Sequence, residues 1–183
     1  MAWLLVVLPA LLMAWAVWTF NRLVRLRNQV KTAWADIDVQ LERRHDLVPM
    51  LVESVKAYAG HEKSLLENVA ALRTQAMATR SPGKLGQVES ELEQGLGRVF
   101  MLQEAYPDLK ANQNFAQLQA SLVQVEDHLQ YARRFYNGAV RDLNDGIQRF
   151  PDSLVANAFA FVPAEFFHAE DEARAAPKVA GIA

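Results

Sequence analysis

Residues 30–56 read VKTAWADIDVQLERRHDLVPMLVESVK, and how this stretch folds decides the architecture of the chain. Val30, Ala33 or Trp34, Ile37 and Leu41 recur at steps of three and four residues, which makes one apolar stripe on a helix. After the polar ERRHD, Val48, Leu51 or Val52, Val55 and Tyr58 or Ala59 take up the same spacing. Pro49 sits just past the interruption. Within a helix a proline removes one hydrogen bond and crowds the carbonyl four residues back, at about 3 kcal/mol, whereas in a first turn its missing amide would be unpaired anyway. With Asp46 as a good N-cap, the stretch reads as a turn near His45 and Asp46 and the start of a second helix. One long helix kinked at Pro49 is the alternative.

Upstream, residues 2–20 carry no charged side chain. As a helix this run is ~28 Å long, close to the ~30 Å hydrocarbon thickness of a bilayer. Trp3 lies near one end and Trp15 and Trp18 near the other, as interfacial anchors do. No Lys or Arg precedes the run and the helical pattern continues out of it, so it reads as an uncleaved anchor (1–21) rather than a signal peptide. Arg22, Arg25, Arg27 and Lys31 crowd its C-terminal flank. By the positive-inside rule the N-terminus is then outside and the main body in the cytoplasm, as expected for a single-pass protein of a bacterial inner membrane. The same cations can attract anionic headgroups.

Downstream, Leu23, Leu26, Val30, Ala33, Ile37 and Leu41 line a first soluble helix continuous with the anchor. The second carries Leu65 or Leu66, Val69, Leu72 and Ala76 and stops before the SPG at 81–83, with Gly60 as another place for a loop. A third, from about Lys84 to Ala105, turns Val88, Leu92, Leu96, Val99 and Leu102 inward and stops at Tyr106, Pro107 and Asp108. The fourth has the cleanest pattern: Phe115, Leu118, Leu122, Val125, Leu129, Ala132, Tyr136, Ala139 or Val140, Leu143, Ile147 and Phe150. Asn112 or Asn114 can cap its start, Asn114 with Gln117 as a variant capping box. Four one-sided helices must bury their stripes against one another. The expected fold is all-α, an N-terminal transmembrane helix followed by an antiparallel up-and-down four-helix bundle with long helices (22–151). A tail (152–170) packs Phe159, Phe161, Phe166 and Phe167 on the bundle, and residues 171–183 are expected to be disordered.

Composition removes whole classes of function. The chain has no cysteine, so disulfides and thiolate metal sites are out. A net charge of −2 with the two signs interspersed leaves no footprint for nucleic acid.

Four segments resemble the LemA family: AWADIDVQLERRHDLVPMLVESVKAYAGHE, LGRVFMLQEAYPDLKANQNFAQLQ, ARRFYNGAV and FPDSLVANAFAFVPAEFF. The resemblance covers nearly the whole chain, to about Phe167. It implies a membrane-anchored helical bundle with a short outside N-terminus, in agreement with the charge reading. It also implies no established molecular activity; one family member is tied to magnetosome membrane formation, which points to membrane organisation. Phe166 stands where the family commonly has tyrosine, and His168 where it has an acidic residue.

Catalytic chemistry finds little support. Glu42-x-x-His45, with Glu165-x-x-His168 as a second copy and Glu62, Glu104 and Glu126 as further carboxylates, has the spacing of a carboxylate-bridged di-iron site. His45 lies beside the inferred turn, however, and the second pair lies in the tail. His61-Glu62 lacks the second histidine of a zincin, Leu65 standing in its place. The serines lack a nucleophile elbow, and Gly95-x-Gly97-Arg98 lacks the strand and Lys-Ser/Thr pair of a phosphate loop. The expectation is no cofactor, no metal and no catalysis. Arg44, Asp46, Asp108, Asn112, Asn114, Arg133 and Asn137 fall at helix ends or beside the seam, where they serve as caps and ion pairs or form a binding surface. Tyr106, Asp108, Lys110 and Asn114, around the loop before the longest helix, are the best surface candidates. The expected function is a scaffold that binds an unknown protein partner or itself as a homo-oligomer, anchored in the lipid bilayer. Alternatives are a metal-binding bundle enzyme and a membrane-shaping or lipid-binding module using the basic flank and tail phenylalanines.

Overall fold

The computed structural model describes residues 3–167. Among these all regular structure is helical: α1 (Leu4–Lys56), a 3-10 turn (Gly60–Glu62), α2 (Lys63–Ala78), α3 (Pro82–Ala105), α4 (Pro107–Lys110), α5 (Gln113–Gln148) and α6 (Asp152–Ala158). His168 and the expected disordered end at 171–183 lie outside the described residues.

The turn expected at His45 and Asp46 does not exist: α1 is a single helix of 53 residues, with Asp46 exposed in its interior instead of capping a helix. Two effects offset the proline. Val48, Leu51 and Val55 are fully buried, each stabilising by about 1.5–3 kcal/mol against exposure. Pro49 cannot donate to the His45 carbonyl four residues back, and Arg73 Nε of α2 donates to that oxygen instead, at 2.6 Å. The helix ends at Lys56, one residue after Val55, and the amides of Tyr58 and Ala59 both bond the Val55 carbonyl. The loop therefore falls at Gly60.

The chain forms two compact units, and each combines distant segments. The first joins α1 up to Asp38 with Tyr131–Glu165; the second joins Val39–Gln130 with the chain from Phe166. The limits expected from sequence (1–21, 22–151, 152–170) follow chain order; the compact units do not.

In the first unit α1 and α5 run antiparallel. Thr19 and Arg22 meet Asp152, Leu23 and Leu26 lie against Gly146, and Trp34 packs edge-on against Tyr136 at 5.3 Å. Gly146 is what lets the helices close, since a Cβ there would stand 3.2 Å from Leu23 Cδ2 and Leu26 Cδ1. The core is Leu23, Val30, Ala33 and Ile37 against Tyr136, Ala139, Val140, Leu143 and Ile147, with Val155 and Ala156 of α6. Phe150, expected on the stripe of the fourth helix, is exposed, because α5 ends at Gln148 and the residue leaves the helical phase.

The second unit is the four-helix bundle: the C-terminal part of α1, α2, α3 and the N-terminal part of α5. Its core runs through Leu41, Val48, Leu51, Val55, Leu66, Val69, Leu72, Leu85, Val88, Leu92, Leu96, Val99, Phe115, Leu122, Val125 and Leu129. Pro82 occupies the first turn of α3 and Ser81 its N-cap position. The long helices are α1 and α5; α2 and α3 have 16 and 24 residues. Asn112, not Asn114, caps α5, its Oδ1 accepting from the Phe115 amide at 3.0 Å. Of the tail phenylalanines, Phe159 and Phe161 pack on Phe20 in the first unit, while Phe167 is buried in the second.

Candidate functional site

Two features of the first unit stand out. From Val6 to Trp18 nearly every large side chain of α1 faces outward. Among the described residues this is the one helix long and apolar enough to cross a membrane. Trp3 and Trp18 are exposed at its two ends. The basic flank then divides. Arg22 is half-buried in an ion pair with Asp152 at 2.7 Å, its guanidinium also 5.8 Å from the Trp18 ring centroid. Arg25, Arg27 and Lys31 are exposed, Arg27 lying 5.3 Å from the Phe161 ring. Arg133 and Asn137 are half-buried on α5 and engaged in interactions there, not set out on an open surface. Lower on the same helix Tyr136 donates to the Glu165 carbonyl at 2.8 Å. Burial, and then the Glu165 charge, hold its phenol above the ordinary tyrosine pKa.

In the second unit the polar signature residues separate into a buried cluster and a groove. Arg44, in phase with Leu41 and Val48 on the seam of α1, is almost wholly buried. Its guanidinium pairs with Glu89 Oε2 at 3.0 Å and with Glu126. The other Glu89 oxygen lies 2.6 Å from His45 Nε2, so one fully buried carboxylate of α3 ties down two successive residues of α1. Arg73, bonded to the His45 carbonyl, links α2 to the same point. Buried charges persist only when paired and hydrogen-bonded, and this cluster fixes the lateral and axial placement of all four helices. Glu42, exposed on α1, does not share a site with His45. Among the described residues no three His, Asp or Glu side chains are grouped to hold a metal ion.

The groove, about 700 Å³, runs between the last turns of α1 and the first turns of α5. Leu47, Met50 and Leu118 make its apolar floor, and Ser54, Tyr58, Asn112, Asn114 and Gln117 its polar rim. Asn112 joins the two walls: besides capping α5, its Nδ2 donates to Tyr58 Oη at 2.9 Å. Asn114 is exposed on the rim, and Met50 presents more than half of its surface to solvent. Tyr106, at the junction of α3 and α4, donates to Glu62 Oε1 at 3.3 Å; desolvation and the facing carboxylate raise its pKa. Asp108 and Lys110 stand exposed on α4, outside the groove. Asp46 is exposed on α1.

Sequence reasoning missed Glu89, Arg73 and Asp152. A signal existed for Glu89, which lies four residues after Leu85 and three before Leu92, on the stripe itself. Leu47 and Met50 gave none, being ordinary apolar residues next to the seam.

An all-helical chain with an apolar leading helix and a charge-pinned four-helix bundle defines the class. The LemA family model matches residues 33–180, and the chain belongs to the LemA family. It is 24% identical over 174 residues to magnetosome proteins MamQ 2 and MamQ 1 of Paramagnetospirillum magneticum (strain AMB-1), covering 81% of this chain and 64% of each relative. It is 25% identical over 153 residues to the protein LemA of Metamycoplasma hominis, covering 82% and 69%. The chain thus spans just under two thirds of the length of the magnetosome proteins.

Proposed function

We propose that the protein is a non-catalytic, single-pass membrane scaffold whose second unit holds an amphipathic helix of a protein partner in the groove. One observation carries the reading: from Val6 to Trp18 nearly every large apolar side chain of α1 faces outward, and a bilayer is the solvent in which such a helix is stable. Membership in the LemA family, with magnetosome proteins among the relatives, supports a membrane-associated role. The exposed cations Arg25, Arg27 and Lys31 favour an outside N-terminus and a cytoplasmic body. A groove with an apolar floor and a hydrogen-bonding rim suits a helix that lays its apolar face inward.

Topology is tested with Arg80→Cys, a unique thiol in the exposed loop between α2 and α3. In cells with a permeabilised outer envelope, an impermeant maleimide should label it only after lysis; labelling beforehand would reverse the orientation. The groove is tested with a photo-crosslinking amino acid at Met50 and, as control, at Met77, which is similarly exposed on α2. Crosslinked protein, whether a partner or a second copy, is expected from Met50 alone. Equal yields from both positions would remove the groove from the proposal.

A further inference from the structure

The first unit places a second apolar surface at the end of the uncharged run. Phe150, Leu154, Phe159 and Val162 are 77, 58, 60 and 76% exposed. They belong to α6 and the segments on either side of it, whose inward face is Val155, Ala156 and Asp152. Within α6 Leu154 and Asn157 face outward, and the residues flanking the helix, Phe150, Phe159 and Val162, add three large apolar side chains to the same exposed segment.

Its attachment point is specific. Asp152 accepts from Thr19 Oγ1 at 3.5 Å and pairs with Arg22 at 2.7 Å. The Phe159 and Phe161 rings stand 4.7 and 5.8 Å from Phe20. These partners are the last residues of the uncharged run and the first cation after it, which is where a spanning helix leaves the hydrocarbon. Between residues 150 and 162 the only charged side chain is Asp152, and it is buried against Arg22. Exposed Arg25 and Arg27 follow within two turns of α1. Outward apolar side chains, a neutralised carboxylate and adjacent exposed cations are the requirements of a segment lying in the headgroup zone.

We infer that residues 150–162 form an interfacial foot, seated in the phospholipid headgroup and acyl boundary beside the span. This rests on the membrane reading of α1 given above. The occupant is the lipid surface because the foot continues the apolar surface of the span within one unit.

The full chain has no cysteine, so single-cysteine variants can carry a spin label. Leu154→Cys removes a mostly exposed side chain, whereas Phe159→Cys also removes the ring packed on Phe20, so position 154 decides where the two disagree. Leu12→Cys reports the span, and Tyr131→Cys reports an exposed site on α5, about 25 Å of helix away from its end. The full-length protein is reconstituted in phosphatidylcholine–phosphatidylglycerol vesicles, and accessibility to oxygen and to a nickel chelate is measured. A depth of about 5–10 Å should give positions 154 and 159 an oxygen-to-nickel ratio roughly threefold above position 131 and below position 12. If 154 and 159 match 131 while 12 reads as lipid, the foot is in water and the inference falls alone. If 12 also reads as water, the span falls and the foot with it. If 154 and 159 are closed to both reagents, protein covers them, which overturns the lipid assignment.

Discussion

The two units bury carboxylates on opposite principles. In the second, Glu89 is sealed in the core with Arg44 and His45, beyond the reach of water. In the first, Asp152 is nearly as hidden, but its partner Arg22 keeps a third of its side chain exposed. The first unit, besides its core, leaves a large apolar surface outside, and the second collects its own inside around a charged pin. A buried ion pair adds little net stability over a hydrophobic replacement, yet breaking one is severe. The second unit is thus built to specify one arrangement of four helices, and the first to present a surface.

Glu89→Ala should break this contrast most, leaving Arg44 short of a partner and His45 unbonded. A loss of about 3–5 kcal/mol is expected, read by urea unfolding of the full chain in detergent with hydrogen exchange on α3. Arg44→Met, Glu89→Leu and Glu126→Leu together should recover most of it. Arg73→Met strips the His45 carbonyl of its replacement donor, and about 1.5–3 kcal/mol should go with a hydrogen bond to a charged group. Exchange should rise first in α1 around Pro49. Asp152→Ala should cost only about 1 kcal/mol, since Arg22 can turn to water; a loss equal to that of Glu89→Ala would erase the distinction between the units.

The smallest effect is alkaline. The folded pKa of Tyr136 lies above its unfolded value. The folded state then holds the proton more tightly, so this contribution is complete below the ordinary tyrosine pKa near 10 and fades as pH rises through the folded value. Thermal unfolding scanned from pH 9 upward should show the decline, and Tyr136→Phe should flatten it.

Much of this was legible from local pattern. The all-α class, the uncharged leading helix, the stop of α3 at Tyr106 and a cap at Asn112 or Asn114 each depend on residues close in sequence. The turn wrongly expected at His45 and Asp46 shows where such reasoning ends. The local signals of ERRHD and Pro49 do favour a break, and they are overridden by Arg73, 28 residues away, and by stripe burial against other helices. Arg44 was recognisable as a charge near the seam. Glu89 was visible only as a misplaced acid, because which carboxylate meets Arg44 is a property of the packed bundle. Of the residues read from sequence as caps or a binding surface, Asn112 and Asn114 line the groove while Tyr106, Asp108 and Lys110 lie outside it, and its floor needs two helices side by side.

The freed carbonyl of His45 has a consequence for biosynthesis. The ribosome delivers Arg73 28 residues after the oxygen it will cap, roughly 1–6 s later at ordinary elongation rates. Until then water must serve that oxygen, and the second half of α1 is a helix waiting for its donor. The oxygen freed inside the longest described helix therefore gains its protein donor only from a neighbour synthesised after it.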